Sequence, residues 1–297
     1  MKFKSTHILF FLAVAIFFSS CFKKNQTVGS GSGDHEIGQF LSNWKYEFFL
    51  NEPNKNAFRM WIPDGVKPRA ILVLAPGNAS DGTGLVEKTE WRDFAKKEQL
   101  ALVGVYVASS TEEAIANLLY AIKLISEKNN VDYLIDLPLL LRGHSHGGGF
   151  SYSFAAMQSK KTIAYANLKA NTPSEAQRLP PGLLIAGEKD EDFRLISMYD
   201  AFLKQRALKG VVCHAIEPDG YHGVGSVDTL VRAFFSAILK VRLNSDGTLN
   251  TLDETSFYLG NMSTFKTYTY ANYPDKKEEA SCLIDEDFKL AWEDFVK

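Results

Sequence analysis

Cysteine is scarce in this chain: three in 297 residues, at positions 21, 213 and 282. None belongs to a C-x-x-C pair, which excludes zinc-ribbon and dithiol redox chemistry. Two cysteines in the body cannot supply the staples of a small disulfide scaffold. An excess of one charge is also missing. The 33 Lys and Arg against 35 Asp and Glu give a net charge of −2, which leaves no basic face for nucleic acid. Long apolar runs are lacking as well. The longest, residues 8–18, has 11 residues, too few to span a bilayer comfortably as a helix.

That short run sits after Lys2 and Lys4 and before Ser19-Ser20-Cys21, the layout of an export signal. The Phe18-Ser19-Ser20-Cys21 junction resembles a bacterial lipobox, with Phe18 where Leu is usual. The resemblance implies cleavage before Cys21 and acylation of that residue, giving enough hydrocarbon for stable membrane anchoring. Residues 21–40 follow as a tether, flexible through Gly29-Ser30-Gly31-Ser32-Gly33. Loss of residues 1–20 would remove two lysines and no acid, leaving 31 bases against 35 acids, or −4.

In the body, short apolar runs alternate with helical patterns. Strands are expected at 46–50, 57–62, 70–75, 100–107, 137–141, 162–167, 182–186 and 211–216. Helices are expected at 84–98, 111–128, 146–159, 193–208 and 226–243. The alternation predicts an α/β fold: a mostly parallel sheet of about eight strands covered by helices on both faces. The first two strands lack an intervening helix and should form an antiparallel edge hairpin. Cys213 lies in the apolar run 210–216 and reads as a buried small hydrophobe, so no bridge to Cys282 is expected.

One catalytic domain is expected at 41–245. Residues 246–297 differ in character, with eleven acids, five bases and no αβ unit. Phe288, Trp292 and Phe295 recur there at helical spacing, which predicts a short helix docking on the main domain.

The most informative motif is Gly143-His144-Ser145-His146-Gly147-Gly148, set between a buried apolar run and a small-residue helical pattern. A serine on a sharp strand-to-helix turn needs small residues two before and two after it, because side chains there collide with the adjoining strand and helix. With this strand-turn-helix context the chain resembles the α/β-hydrolase superfamily, in particular its small esterases and dienelactone-hydrolase-like members. The resemblance covers roughly residues 43–243.

It implies Ser145 as nucleophile, which requires a base and a third group to orient that base. Of six histidines, His7 falls in the signal, His35 in the tether and His214 inside a strand; His144 and His146 flank Ser145 and should point away from its hydroxyl. His222 remains, in the glycine-rich loop after the last expected strand of the domain, where the family keeps its base. The orienting acid maps onto Asp190, through the likeness of Gly187-Glu188-Lys189-Asp190 to the family's G-x-x-D. Asp192 is the alternative if the turn is shifted. The oxyanion donors implied are the backbone N–H groups of His146 and Asn78, although Pro76 stands where the family often has His. The pair His144-x-His146 has no third ligand near it, so no metal or cofactor is expected.

Only 14 residues, 168–181, separate the sixth and seventh expected strands, where many lipases carry a helical cap. An open site suits bulky or polymer-linked esters, and export suits an extracellular substrate such as an acylated polysaccharide. The chain is therefore expected to be an exported, membrane-anchored serine esterase. A serine peptidase or lactone hydrolase on the same fold, and a catalytically inactive glycan-binding lipoprotein, are the alternatives.

Overall fold

The computed structural model describes residues 46–49, 56–78, 80–108 and 111–297. The signal 1–20, Cys21 and the tether 21–40 lie outside the described residues.

The apolar runs form an eight-stranded sheet: β1 (Tyr46–Phe49), β2 (Ala57–Trp61), β3 (Ala70–Ala75), β4 (Leu100–Tyr106), β5 (Leu139–His144), β6 (Thr162–Leu168), β7 (Gly182–Gly187) and β8 (Val212–Glu217). Their spatial order is β1-β2-β4-β3-β5-β6-β7-β8. Strands β3 to β8 are parallel, and β2 runs antiparallel to both of its neighbours, β1 and β4.

The central strands are continuous apolar runs because both faces are covered. In β3, Ala70, Leu72 and Leu74 enter one core, and Ile71, Val73 and Ala75 enter the other. The first core takes Trp91 and Phe94 of α1 (Thr89–Glu98) and Leu230, Phe234 and Ile238 of α5 (Val227–Arg242). The second takes Ile115, Leu118 and Ile122 of α2 (Thr111–Lys128), Phe150 and Phe154 of α3 (His146–Met157), and Met198 and Phe202 of α4 (Asp192–Ala207). The succession reverses beside β3, with β4 on one side and β5 on the other. Parallel α/β sheets open a crevice at such a switch point, beyond the carboxyl ends of the strands.

Two differences from the sequence expectation carry physical content. Strand β5 runs three residues further than its apolar stretch, through Arg142 and Gly143 to His144, so the strand itself delivers Ser145. The polar Arg142 is tolerated in the sheet because its guanidinium binds Asp228 at 2.8 and 2.9 Å in the first turn of α5. The second difference is a small antiparallel sheet in residues 246–297, formed by β9 (Tyr258–Gly260), β10 (Thr267–Thr269) and β11 (Ser281–Leu283) in the order β10-β9-β11. Three-residue strands are too short to show a two-residue period.

This segment covers the β8 edge. The Ser281 hydroxyl accepts the His214 N–H and donates to the His214 carbonyl, both at 2.9 Å. Trp292 Nε1–H donates to the same carbonyl at 2.9 Å from α6 (Glu286–Phe295). Side chains thereby occupy backbone groups that an open edge strand would offer to another chain. Asp285 caps α6 by accepting the Phe288 N–H at 2.8 Å. Buried Arg206 of α4 adds contacts to Glu254 at 2.5 Å and to the Lys277 carbonyl at 2.6 Å. Among the described residues no helix is long and apolar enough to cross a membrane.

Trp292→Ala removes a fully buried indole and one of these edge bonds. Urea titration should show a loss of about 3–5 kcal/mol, and an unchanged midpoint would contradict the latching role of α6.

Candidate active site

Ser145 sits at the tip of the β5–α3 turn with φ 51° and ψ −117°. A non-glycine residue seldom occupies that region, and the surrounding packing must hold it there. The Ser145 N–H donates to the Leu168 carbonyl at 2.8 Å, and the Gly147 N–H to the Pro76 carbonyl at 3.1 Å. The flanking glycines are required by contact. A Cβ on Gly143 would fall 1.8 Å from the Gly147 carbonyl oxygen, and one on Gly147 would fall 2.4 Å from that of Pro76.

The turn brings the Ser145 hydroxyl to 2.8 Å from His222 Nε2. His222 Nδ1 lies 3.0 Å from Asp190 Oδ2. An ionised carboxylate only accepts, so Nδ1 carries the imidazole proton and Nε2 is left bare to accept from the serine. Burial pushes the Asp190 carboxyl up, but bonds from His222 and the Glu191 N–H outweigh it, and with the charge of nearby Arg194 they hold the group below the usual carboxylate range. The Asp190 side chain is 1% exposed. It follows β7 in a turn whose Lys189 N–H donates to the Gly220 carbonyl at 2.8 Å, which ties the acid's loop to that of His222.

Asp192 is the first residue of α4, is exposed, and makes no hydrogen bond to His222. Glu188 accepts the Asp219 N–H and Glu191 pairs with Arg194. The structure thus brings Asp190, Ser145 and His222 together and leaves Asp192 apart.

Asn78 lies in a turn closed by the Ser80 N–H to the Gly77 carbonyl at 3.1 Å, with φ 52°. The turn abuts the serine, since a Cβ on Gly77 would come 3.1 Å from Ser145 Cβ. His146 is the first residue of α3, where a helix leaves its N–H groups without intrahelical partners. Its side chain is exposed. Among the described residues no cluster of three or more His, Cys, Asp or Glu is arranged to hold a metal. Cys213 and Cys282 are both buried and free.

Three participants escape a reading of the sequence. His144 makes no bond to the Ser145 hydroxyl; its Nε2–H donates to the His222 backbone carbonyl at 2.6 Å. Buried Lys169 contacts Glu217 at 2.5 Å and the carbonyls of Tyr221 and Gly223 at 2.6 Å each. Lys169 and Glu217 stand 48 residues apart at the ends of β6 and β8. The only trace of the pair in the sequence is one charge of each sign, Lys169 directly after β6 and Glu217 at the end of β8.

No family model matches this chain, and no curated protein matches it in sequence. Solved structures do. It is similar to FphF, a fluorophosphonate-binding serine hydrolase of Staphylococcus aureus, with 16% identity and a TM-score of 0.50 over 65% of this chain and 97% of that one. It is also similar to an esterase of Pyrobaculum calidifontis, with 13% identity and a TM-score of 0.50 over 62% of this chain and 80% of that one. A ferulic acid esterase matches with 12% identity and a TM-score of 0.50 over 62% and 92% of the two chains. The architecture is the α/β-hydrolase fold. The serine turn between β5 and α3 is the feature on which the resemblance read from the sequence rests, and the antiparallel β1–β2 edge hairpin expected there is present; the strand order is added by the structure.

Burial lowers the pKa of two imidazoles to about 4. For His144 the Arg142 and Lys169 charges reinforce burial while the bond to the His222 carbonyl opposes it. For His214 the bond to the Leu184 carbonyl opposes burial. Both are neutral when folded and titrate near 6.5 when unfolded. Their contribution to stability is therefore complete above pH 6.5 and lost as pH falls from 6.5 towards 4. Urea midpoints should fall steadily over that window, with a slope approaching two protons taken up per molecule unfolded. Flat stability from pH 7 to 4.5 would contradict this.

Proposed function

We propose that this protein is a serine-dependent carboxylic ester hydrolase that acts through an acyl-enzyme on Ser145. The observation that carries the reading is the hydrogen-bonded relay from the Ser145 hydroxyl to His222 at 2.8 Å and from His222 to Asp190 at 3.0 Å.

In the proposed reaction, the Ser145 oxygen attacks the ester carbonyl while His222 Nε2 takes its proton. Asp190 holds the imidazole in the Nδ1–H tautomer and stabilises the imidazolium that forms. The N–H groups of Asn78 and His146 receive the oxyanion, a donor of this kind contributing about 3 kcal/mol to the transition state. The tetrahedral intermediate collapses with the C–O bond to the alcohol breaking, and His222 returns its proton to the departing alkoxide. Water then attacks the acyl-serine, again giving its proton to His222, and the acid leaves with Ser145 restored.

The substrate reading is an ester on a bulky or polymer-linked alcohol, such as an acylated polysaccharide. It is supported by the short connection 169–181, which forms no helix or strand, and by a rim where the His222 side chain is 38% and Tyr221 65% exposed. Export, with a lipid on Cys21 and a flexible tether, would present this rim to extracellular material; the support for it is the sequence of residues 1–33.

Burst kinetics with p-nitrophenyl acetate test the reaction: a stoichiometric burst is expected, and Ser145→Ala should abolish it. Asp190→Asn should lower kcat by about 10⁴-fold by stabilising the wrong imidazole tautomer. Turnover fully retained by Ser145→Ala would end the proposal. Acetylated sugars beside aminoacyl naphthylamides separate ester from amide cleavage, and turnover of the sugars alone is expected.

A further inference from the structure

A buried ammonium lies under the loop that carries His222, and the proposed chemistry gives it no step. Lys169 follows β6 directly, has φ 52°, and its side chain is 1% exposed. Its three N–H bonds go to Glu217 Oε2, the Tyr221 carbonyl and the Gly223 carbonyl, the full donor capacity of an ammonium. The other Glu217 oxygen accepts the Ser226 N–H at 2.8 Å and the Ser226 hydroxyl at 3.0 Å. Residues 218–225 wrap this pair so closely that a Cβ on Gly220 or Gly225 would lie 2.5 or 2.3 Å from a Glu217 carboxylate oxygen.

The carbonyl between the two held by Lys169 belongs to His222, and it accepts from His144. Three successive carbonyls, of Tyr221, His222 and Gly223, are thus gripped by side chains from the ends of β5 and β6. With planar peptides on both sides of His222 pinned in this way, its φ and ψ have almost no freedom, which fixes the point from which the side chain leaves the backbone, while Asp190 sets the ring's rotation. Burying an ammonium with a carboxylate is a poor route to stability, because apolar side chains of similar volume usually serve as well or better. The arrangement makes sense as a device that selects one conformation of one loop.

We infer that Lys169, partnered by Glu217 and assisted by His144, is a positioning residue for the general base, holding His222 Nε2 at the Ser145 hydroxyl. The inference rests on the serine-hydrolase reading of the site.

The test uses the full chain and the double variant Lys169→Met/Glu217→Met, which removes the pair without leaving a lone buried charge. The variant should fold, keep its KM for p-nitrophenyl acetate, and lose about 10²-fold in kcat, as expected for a displaced catalytic group. The downfield proton resonance of the His222–Asp190 hydrogen bond should broaden or vanish. His144→Phe removes one grip while keeping a ring and should lower kcat by about tenfold. A folded double variant with wild-type kcat and an intact resonance overturns the inference. Should the double variant fail to fold, an unchanged kcat in His144→Phe overturns it and a lowered kcat at constant KM supports it. A wild type without Ser145-dependent turnover defeats the hydrolase reading instead, and the resonance, which needs no turnover, still tests the positioning.

Discussion

Everything at the rim of this sheet depends on the backbone of Ser145 being held at φ 51° and ψ −117°. Left to itself, a serine would leave that conformation at a gain of about 1–3 kcal/mol. It is held because β5 cannot move away from β3 and β6, to which it is paired on both sides, and α3 cannot retreat from β5. The Leu168 and Pro76 carbonyls receive the N–H groups on either side of the bend. Glycine at 143 and 147 is the consequence, since any side chain there would force these elements apart. The bend sets the Ser145 hydroxyl beyond the carboxyl end of β5, 2.8 Å from His222 Nε2.

A second constraint meets the first at His222. The loop after β8 has no regular structure to hold His222, so side chains supply the rigidity. Lys169 and His144 grip its carbonyls, Glu217 anchors Lys169 and the start of α5, and Asp190 fixes the imidazole. Most of these groups sit at the carboxyl ends of parallel strands, where residues distant in sequence converge. The far edge of the sheet is secured in the same way, by side chains of residues 246–297 on the His214 backbone.

Most of the fold was legible because buried parallel strands are written as continuous apolar runs. The serine turn was legible because its glycines answer a local steric demand. His222 emerged from elimination among few histidines, whereas the sequence left Asp190 and Asp192 both open; their separation comes from burial and from the 3.0 Å approach to His222. The Lys169–Glu217 pair was illegible, since no spacing rule links the ends of β6 and β8. The last three residues of β5 are not legible in its apolar run, because Arg142 finds its counter-charge, Asp228, only in the folded state. The strands of residues 246–297 were missed because three residues carry no period.

The proposed chemistry depends most directly on the reactivity of one hydroxyl, that of Ser145. Labelling the folded protein with a fluorophosphonate and mapping the adduct by mass should place a single phosphonyl group on Ser145, with the labelling rate falling by 10³-fold or more in His222→Ala. Absence of labelling in the folded wild type, or an adduct on another residue, would contradict it.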